Sequence, residues 1–287
     1  PDLIDPAPPV ASAPQQPAEH AADDGAADGA AGLAEHRSAD IGGDRDLREK
    51  LARTLAEADA LIAVSAGLAE GLIALGAAPG KVTVLRNGVD LAAFAPPHDR
   101  AALRAELGLS GPIVLSVGHL IERKAHHHVI GALAELPGVS LLIAGEGPER
   151  QALTALAERL GVAERVHLLG ARPHGELAKL YGAADALVLA STREGWANVM
   201  LEAMACGTPV IAGPAWGSRE AISAPEAGLV LDEVGAGPIA AALRRLLANP
   251  PARRATRAHA ERFSWDETTR GQAELFGHVL AMRKSAA

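Results

Sequence analysis

From residue 113 onward the chain alternates short, almost unbroken apolar runs with stretches of helical periodicity. The apolar runs fall at 113–117, 139–144, 166–169, 186–189 and 210–212, with a weaker one at 228–231. Helical patterns occupy the gaps at 126–136, 149–160, 175–181, 199–205 and 238–247. Strands that are apolar on both faces and separated by helices predict an α/β protein with a doubly wound parallel sheet. Such a sheet binds ligands at the carboxyl ends of its strands. The residues just after each apolar run are therefore the ones to inspect for chemistry.

Upstream the pattern differs. Leu47, Leu51 and Leu55 keep helical spacing, and 60–64 reads as a buried strand. A helix is expected over 66–75 and a strand over 81–85. Asn87-Gly88-Val89-Asp90 is a turn signal, and Pro96-Pro97 marks a junction. Residues 1–46 are Ala, Pro, Asp and Gly with little apolar periodicity, and are expected to be disordered. A low-complexity linker is favoured there over an acidic interaction tail.

Charge and composition refine this picture. Residues 1–46 carry ten acidic and two basic side chains, which is the whole of the net charge of −8. The other 241 residues hold 25 of each sign, so nothing points to a nucleic acid or other polyanion as partner. Aromatic residues make up only 2% against 48% hydrophobic, so the core must be built from Ala, Leu, Val and Ile. The single cysteine, Cys206, allows no internal disulfide and reads as a small buried residue. No apolar run is long enough to span a bilayer. Residue 1 is Pro without a leader pattern behind it, so the chain is expected to begin part-way through a gene product or after processing.

Three strand-end segments carry candidate chemistry. After 186–189 come Glu194, Gly195, Trp196, Ala197, Asn198, Val199 and, one helical turn on, Glu202. Asn198 is expected to cap the next helix, whose first amides would suit a diphosphate, and Glu202 to reach a hydroxyl-bearing ligand. Two glutamates eight apart also arise by chance, and it is their place after a core strand that singles them out. After 113–117 come Gly118, His119, Arg123 and Lys124, with two cations able to stabilise a diphosphate leaving group. After 139–144 come Gly145, Glu146 and Gly147, a backbone-lined loop that lacks the third glycine of a dinucleotide fingerprint. His126, His127 and His128 cannot all face one ion from a helix, so no metal site is expected.

These segments together resemble family-4 glycosyltransferases of the GT-B fold, over about 59–281. The resemblance rests on Val64-Ser65, Asn87-Gly88-Val89-Asp90, the Lys124 loop, Gly145-Glu146-Gly147-Pro148, the Glu194 to Glu202 stretch, and Ala205-Cys206-Gly207-Thr208-Pro209-Val210. The closing Phe263-Ser264-Trp265 is similar as well. It implies transfer from a nucleoside-diphosphate sugar, UDP- or GDP-linked, to a glycan or lipid-linked acceptor. Anomeric configuration would be retained, without a cofactor or metal, and the departing diphosphate would assist attack on its own face. Glu194 would bind the sugar hydroxyls and Glu202 the ribose. The 195–199 amides would hold sugar and phosphates, Lys124 with Arg123 the diphosphate, and the loop at Arg172 the nucleobase. The implied division is a disordered 1–46, a remnant of the acceptor lobe and junction at 47–95, a Rossmann-like donor lobe at 96–262, and a C-terminal helix at 263–287 returning toward the first lobe. The implied location is cytoplasmic, with peripheral contact at the inner face of the membrane.

The Leu120 to Lys124 loop resembles a subgroup that assembles teichuronic-acid-type and other cell-surface polysaccharides. Three positions depart from the family pattern. His119 stands where many members have Arg, Arg219 replaces a common Pro, and Ala125 replaces Gly, which is expected to be a mild change at a helix start. A non-catalytic nucleotide-sugar-binding lobe is the alternative reading, and a sugar-nucleotide epimerase of the same fold is less expected.

Overall fold

The computed structural model describes residues 45–286, so the expectation of disorder at 1–46 lies almost wholly outside the described residues. Helix α1 (Arg45–Glu57) leads into a two-stranded parallel sheet, β1 (Leu61–Ala63) and β2 (Val82–Val84), connected through α2 (Ala66–Ala74). Ser65 caps α2, its hydroxyl accepting from Leu68 N at 3.1 Å. Lys81 Nζ donates to the carbonyls of Ala56 and Ala58, a cation placed at the carboxyl end of α1.

Helix α3 (Arg100–Glu106) precedes the main sheet. That sheet comprises β3 (Ile113–Val117), β4 (Ser140–Ala144), β5 (Val166–Gly170), β6 (Ala186–Leu189), β7 (Val210–Ala212) and β8 (Gly228–Val230). Its order is β5-β4-β3-β6-β7-β8, and every pair is parallel. The connecting helices are α4 (His126–Leu133), α5 (Arg150–Arg159), α6 (His174–Ala183), α7 (Asn198–Ala205) and the short α8 (Ser218–Ala221). Three helices follow β8: α9 (Ala236–Ala248), α10 (Arg253–Ala260) and α11 (Trp265–Ala286).

Strand alternation divides the core in two. Ile113, Leu115, Leu187, Leu189 and Val210 face one layer, with α6 and α7. Val114, Leu141, Ile143, Val188 and Ile211 face the other, with α4, α5 and α9. The sheet is thus covered on both faces, as its unbroken apolar strands require.

Strands β3, β6 and β7 occupy the residues expected from the apolar runs, β4, β5 and β8 differ by one residue at one end, and β1 and β2 are one residue shorter at each end. Three helices were not foreseen: α3, α8 and α10. Helix α10 has no apolar stripe. Its buried residues are Thr256, His259 and Ala260, and its arginines fasten it by hydrogen bonds. Arg253 donates to the carbonyls of Gly182, Ala184 and Cys206 at 2.9–3.0 Å, while Arg257 donates to those of Leu91, Phe94 and Ala205.

The segment 85–89 and α11 hold the small sheet against the large one. Val89 N donates to Phe263 O at 3.1 Å, Thr268 Oγ1 to Arg86 O, and Arg283 pairs with Asp59 at 2.6 Å. A Cβ on Gly88 would lie 2.3 Å from Trp265 N, so that crossing requires glycine. Across the same junction Glu220 of α8 accepts from Ala66 N at 2.8 Å and pairs with Arg86 at 2.5 Å.

Asp185, just before β6, fixes the edge of the sheet opposite the carboxyl ends of its strands. Its carboxylate accepts from Ile113 N at 2.8 Å and pairs with Arg100 at 2.7 Å and Arg104 at 3.1 Å. Burial alone would raise its pKa, but the Ile113 amide and the two guanidinium groups outweigh that, and the pKa is lowered. A carboxyl depressed in the folded state contributes stability above its unfolded pKa and loses it as pH falls through the folded value. Asp185→Asn should therefore cost about 1–3 kcal/mol at pH 7, a difference that shrinks below the ordinary pKa near 3.8. Urea midpoints at pH 7 and pH 3 test this, and a pH-independent difference would contradict it.

Candidate functional site

Strand order reverses between β3 and β6, the point where a doubly wound sheet offers a crevice at its carboxyl edge. The loops leaving these two strands are 118–125 and 190–197. Thr192 N donates to Arg123 O at 3.0 Å, tying one loop to the other. Lys124 Nζ meets Glu194 Oε1 at 2.5 Å, with side-chain exposures of 13% and 9%. Two of the residues singled out in the sequence thus form one nearly buried ion pair across the crevice.

Backbones pack closely beside it. Gly118 N donates to Ala144 O at 3.0 Å, Leu120 N to Glu146 O at 2.8 Å, and Gly145 N to Gly170 O at 2.9 Å. A Cβ on Gly145 would stand 1.8 Å from Gly118 O, and one on Gly147 2.5 Å from Leu120 O. Only glycine permits this approach, which keeps the floor of the crevice backbone-lined. The side chains of His119 and Glu146 are exposed at this rim. Arg172 pairs with Glu176 at 3.2 Å at the start of α6.

The 194–202 stretch turns its large side chain inward. Gly195 is buried, and a Cβ on Gly217 would come within 2.6 Å of its carbonyl. Trp196 is 7% exposed and tilts against Phe263, with ring centroids 5.7 Å apart. Trp196 and Ala197 belong to the core, so this loop faces the crevice with backbone. The cap position of α7 is Ala197 and not Asn198, a correction to the sequence reading. Asn198 is the first helical residue, and its Oδ1 accepts from Asn87 Nδ2 at 3.2 Å. The amides of Asn198 and Val199 precede the first intrahelical bond, from Met200 N to Ala197 O. The helix start suited to an anion is therefore present without the expected side-chain cap.

Glu202 was expected to reach outward. Instead the carboxylate is half-buried and bonded to Tyr181, whose Oη donates to its Oε2 at 2.8 Å. Burial raises the Glu202 pKa, opposed by the Tyr181 hydrogen bond and by His174. Tyr181 is wholly buried, and burial together with the Glu202 charge raises its own pKa. The chain's only tyrosine was passed over in the sequence, though its rarity was a signal.

His126 also sits beneath the site. Ser116 Oγ donates to Val188 O at 2.9 Å, so it accepts from His126 Nδ1–H at 3.0 Å, which assigns the tautomer. Burial, against the Gly118 and His119 carbonyls and helped by Lys124, lowers the His126 pKa to about 4. His126 is thus a neutral core residue. Cys206 is fully buried, and burial pushes its thiol up to about 12. Among the described residues, no three His, Cys, Asp or Glu side chains gather closely enough to hold a metal ion. None of the described helices is long and apolar enough to cross a membrane.

Ala125, expected to be a mild replacement, adopts a left-handed backbone (φ 52°, ψ 33°). It is the one non-glycine residue with positive φ among those described. Its methyl group is 1% exposed within the core. Relief of about 1–2 kcal/mol in Ala125→Gly is offset by the lost methyl burial, about 0.8 kcal/mol, and by about 0.4–1 kcal/mol of unfolded-chain entropy. Ala125→Gly should thus stay within about 1 kcal/mol of wild type, whereas Ala125→Val, branched at this φ, should lose over about 2 kcal/mol. Chemical denaturation distinguishes them, and equal stabilities for the two variants would refute the strain.

Residues 99–263 match the family described as glycosyl transferases group 1, and residues 33–93 match Glycosyltransferase Family 4. The chain is 40% identical over 222 residues to the D-inositol 3-phosphate glycosyltransferase of Segniliparus rotundus, covering 71% of this chain and 49% of that protein. The protein of the same name from Mycobacterium tuberculosis is 40% identical over 228 residues, with 74% and 47% covered. The chain spans about half the length of the curated relatives it matches. Among solved structures, sucrose-phosphate synthase from Thermosynechococcus elongatus aligns with a TM-score of 0.79 at 28% identity, covering 88% of this chain and 66% of that one. Anabaena HepE in complex with UDP and glucose aligns with a TM-score of 0.73 at 25% identity, covering 80% and 67%.

Proposed function

We propose, since this chain belongs to the glycosyl transferases group 1 family, that it carries the nucleotide-sugar site of a retaining glycosyltransferase. The observation that carries this reading is the Lys124–Glu194 pair at the strand-order reversal, beside the amino end of α7. A diphosphate would lie between Lys124 and the free amides of Asn198 and Val199, where a cation and a helix start both favour negative charge. As the sugar–phosphate bond breaks, charge develops on the leaving oxygen, and Lys124 with Arg123 would stabilise it. Glu194 would order the sugar hydroxyls while holding Lys124 in place. Glu202 would accept from ribose hydroxyls, and the loop at Arg172 would meet the base. No metal is needed in this scheme, because the protein's own cations neutralise the diphosphate.

The HepE structures with UDP and with UDP-glucose favour a uridine nucleotide as the first one to test. The Leu120 to Lys124 loop suggested a cell-surface polysaccharide acceptor. The curated relatives bear a different name, and we take an inositol phosphate as the first acceptor to test.

Calorimetry with UDP, GDP and ADP tests the site directly. One diphosphate should bind, and Lys124→Ala and Glu202→Ala should each weaken it by about tenfold or more. Absence of binding by all three would overturn the donor-site reading. Release of nucleotide from UDP-glucose with inositol phosphate present then separates an enzyme from a binding lobe, and Glu194→Ala should abolish any release.

A further inference from the structure

Tyr181 lies on α6, apart in sequence from every strand-end loop, yet its hydroxyl is 2.8 Å from Glu202 Oε2. A tyrosine hydroxyl has one proton, and here it is donated to the carboxylate. The donor is held rigidly. The Tyr181 ring is fully buried and packs edge-on to Phe94 with centroids 6.0 Å apart. Its backbone carbonyl is fixed by Thr208 Oγ1 at 2.5 Å, which also receives Arg253 at 2.9 Å. Phe94 is secured in turn by Arg257, which donates to its carbonyl at 2.6 Å.

A glutamate on an open helix face has several rotamers, and ordering it on binding costs free energy. A bond from a fixed hydroxyl to one oxygen removes that freedom beforehand and aims the other oxygen. We propose that Tyr181 is a positioning residue for Glu202: it anchors Oε2 so that Oε1 is preset to accept from the hydroxyls of a nucleotide's ribose. The inference rests on the donor-site reading above and adds to it the residue that gives the site its selectivity for ribose over sugars lacking both hydroxyls.

Wild-type and Tyr181→Phe protein are titrated with UDP and with 2′,3′-dideoxyuridine diphosphate. The phenyl ring keeps the packing against Phe94, so the variant should unfold cooperatively near the wild-type midpoint. UDP affinity should fall about tenfold, as for a lost hydrogen bond to a charged group, while affinity for the dideoxy compound stays unchanged. Glu202→Asp, which draws the carboxylate back from Tyr181 and leaves the buried ring untouched, should lose the same selectivity and is a second route to the answer. Unchanged selectivity in both variants would overturn the proposal. So would an equal loss for both ligands, which marks a packing role alone. If wild type binds neither ligand, the donor-site reading fails. If it binds both equally, Glu202 does not read ribose and only the inference falls.

Discussion

Lys124 and Glu194 stand on loops that part company where the sheet changes its winding, and their 2.5 Å contact bridges that gap. Such a pair is a costly way to gain stability. Removing two charges from water consumes much of what their attraction returns, and a well-packed apolar pair would do as well. Its effect is to preset position. With Glu194 in place, Lys124 is neither free to swing into solvent nor able to collapse onto the backbone carbonyls of the glycine-lined floor. A bound diphosphate would add a second negative partner to a cation already oriented, so little reorganisation would accompany binding.

Aromatic side chains show the same economy. The chain has three Phe, three Trp and one Tyr; of these seven, Trp196 lies within the 194–202 stretch, Tyr181 and Phe94 belong to the core cluster around it, and Phe263 packs against that cluster. Trp196 meets Phe263, and Phe94 meets Tyr181, whose hydroxyl bonds Glu202 of α7. Elsewhere the core is Ala, Leu, Val and Ile, which fill space and let helices lie close to the sheet. Large rings with few rotamers are concentrated where loop and carboxylate need a fixed setting. The arginines of α10 complete the arrangement by bonding carbonyls at the ends of α6 and α7, which locks the two helices that carry Tyr181 and Glu202.

Much of the fold was legible because continuous apolar runs bracketed by turn residues have little choice but to be buried strands. The strands at 113–117, 186–189 and 210–212 follow directly from that constraint. Strand ends then drew attention to Lys124 and Glu194 without any knowledge of their contact. What escaped was set by long-range or backbone detail. Helix α10 is held by arginine-to-carbonyl bonds, which leave no periodic trace. Asn198 has a capping side chain, yet Asn87 engages it from 111 residues away, and the cap falls on Ala197. Ala125 passed as a conservative change because its cost lies in a left-handed φ, not in its size. Tyr181 sat within an apolar helical pattern, and only the fold brings its hydroxyl to Glu202.

Donor recognition and glycosyl transfer place different demands on a protein. Recognition needs preset charges and amides on one side of a crevice, and in the proposed site loops from β3, β4 and β6 and the start of α7 would supply them. Transfer also needs an acceptor hydroxyl presented from the facing side, within bonding distance of the sugar. The small sheet is joined to the large one mainly through Glu220, Arg86 and α11, with one further bond from Asn87 to Asn198 at the start of α7. Changes at that junction would therefore shift how the facing surface is presented while leaving Lys124, Glu194 and Glu202 in register. In the proposed enzyme, affinity for the nucleotide would follow the crevice, and the rate of transfer would follow the junction. In that enzyme a substitution at Glu220 should thus alter turnover far more than nucleotide affinity, whereas one at Glu202 should do the reverse.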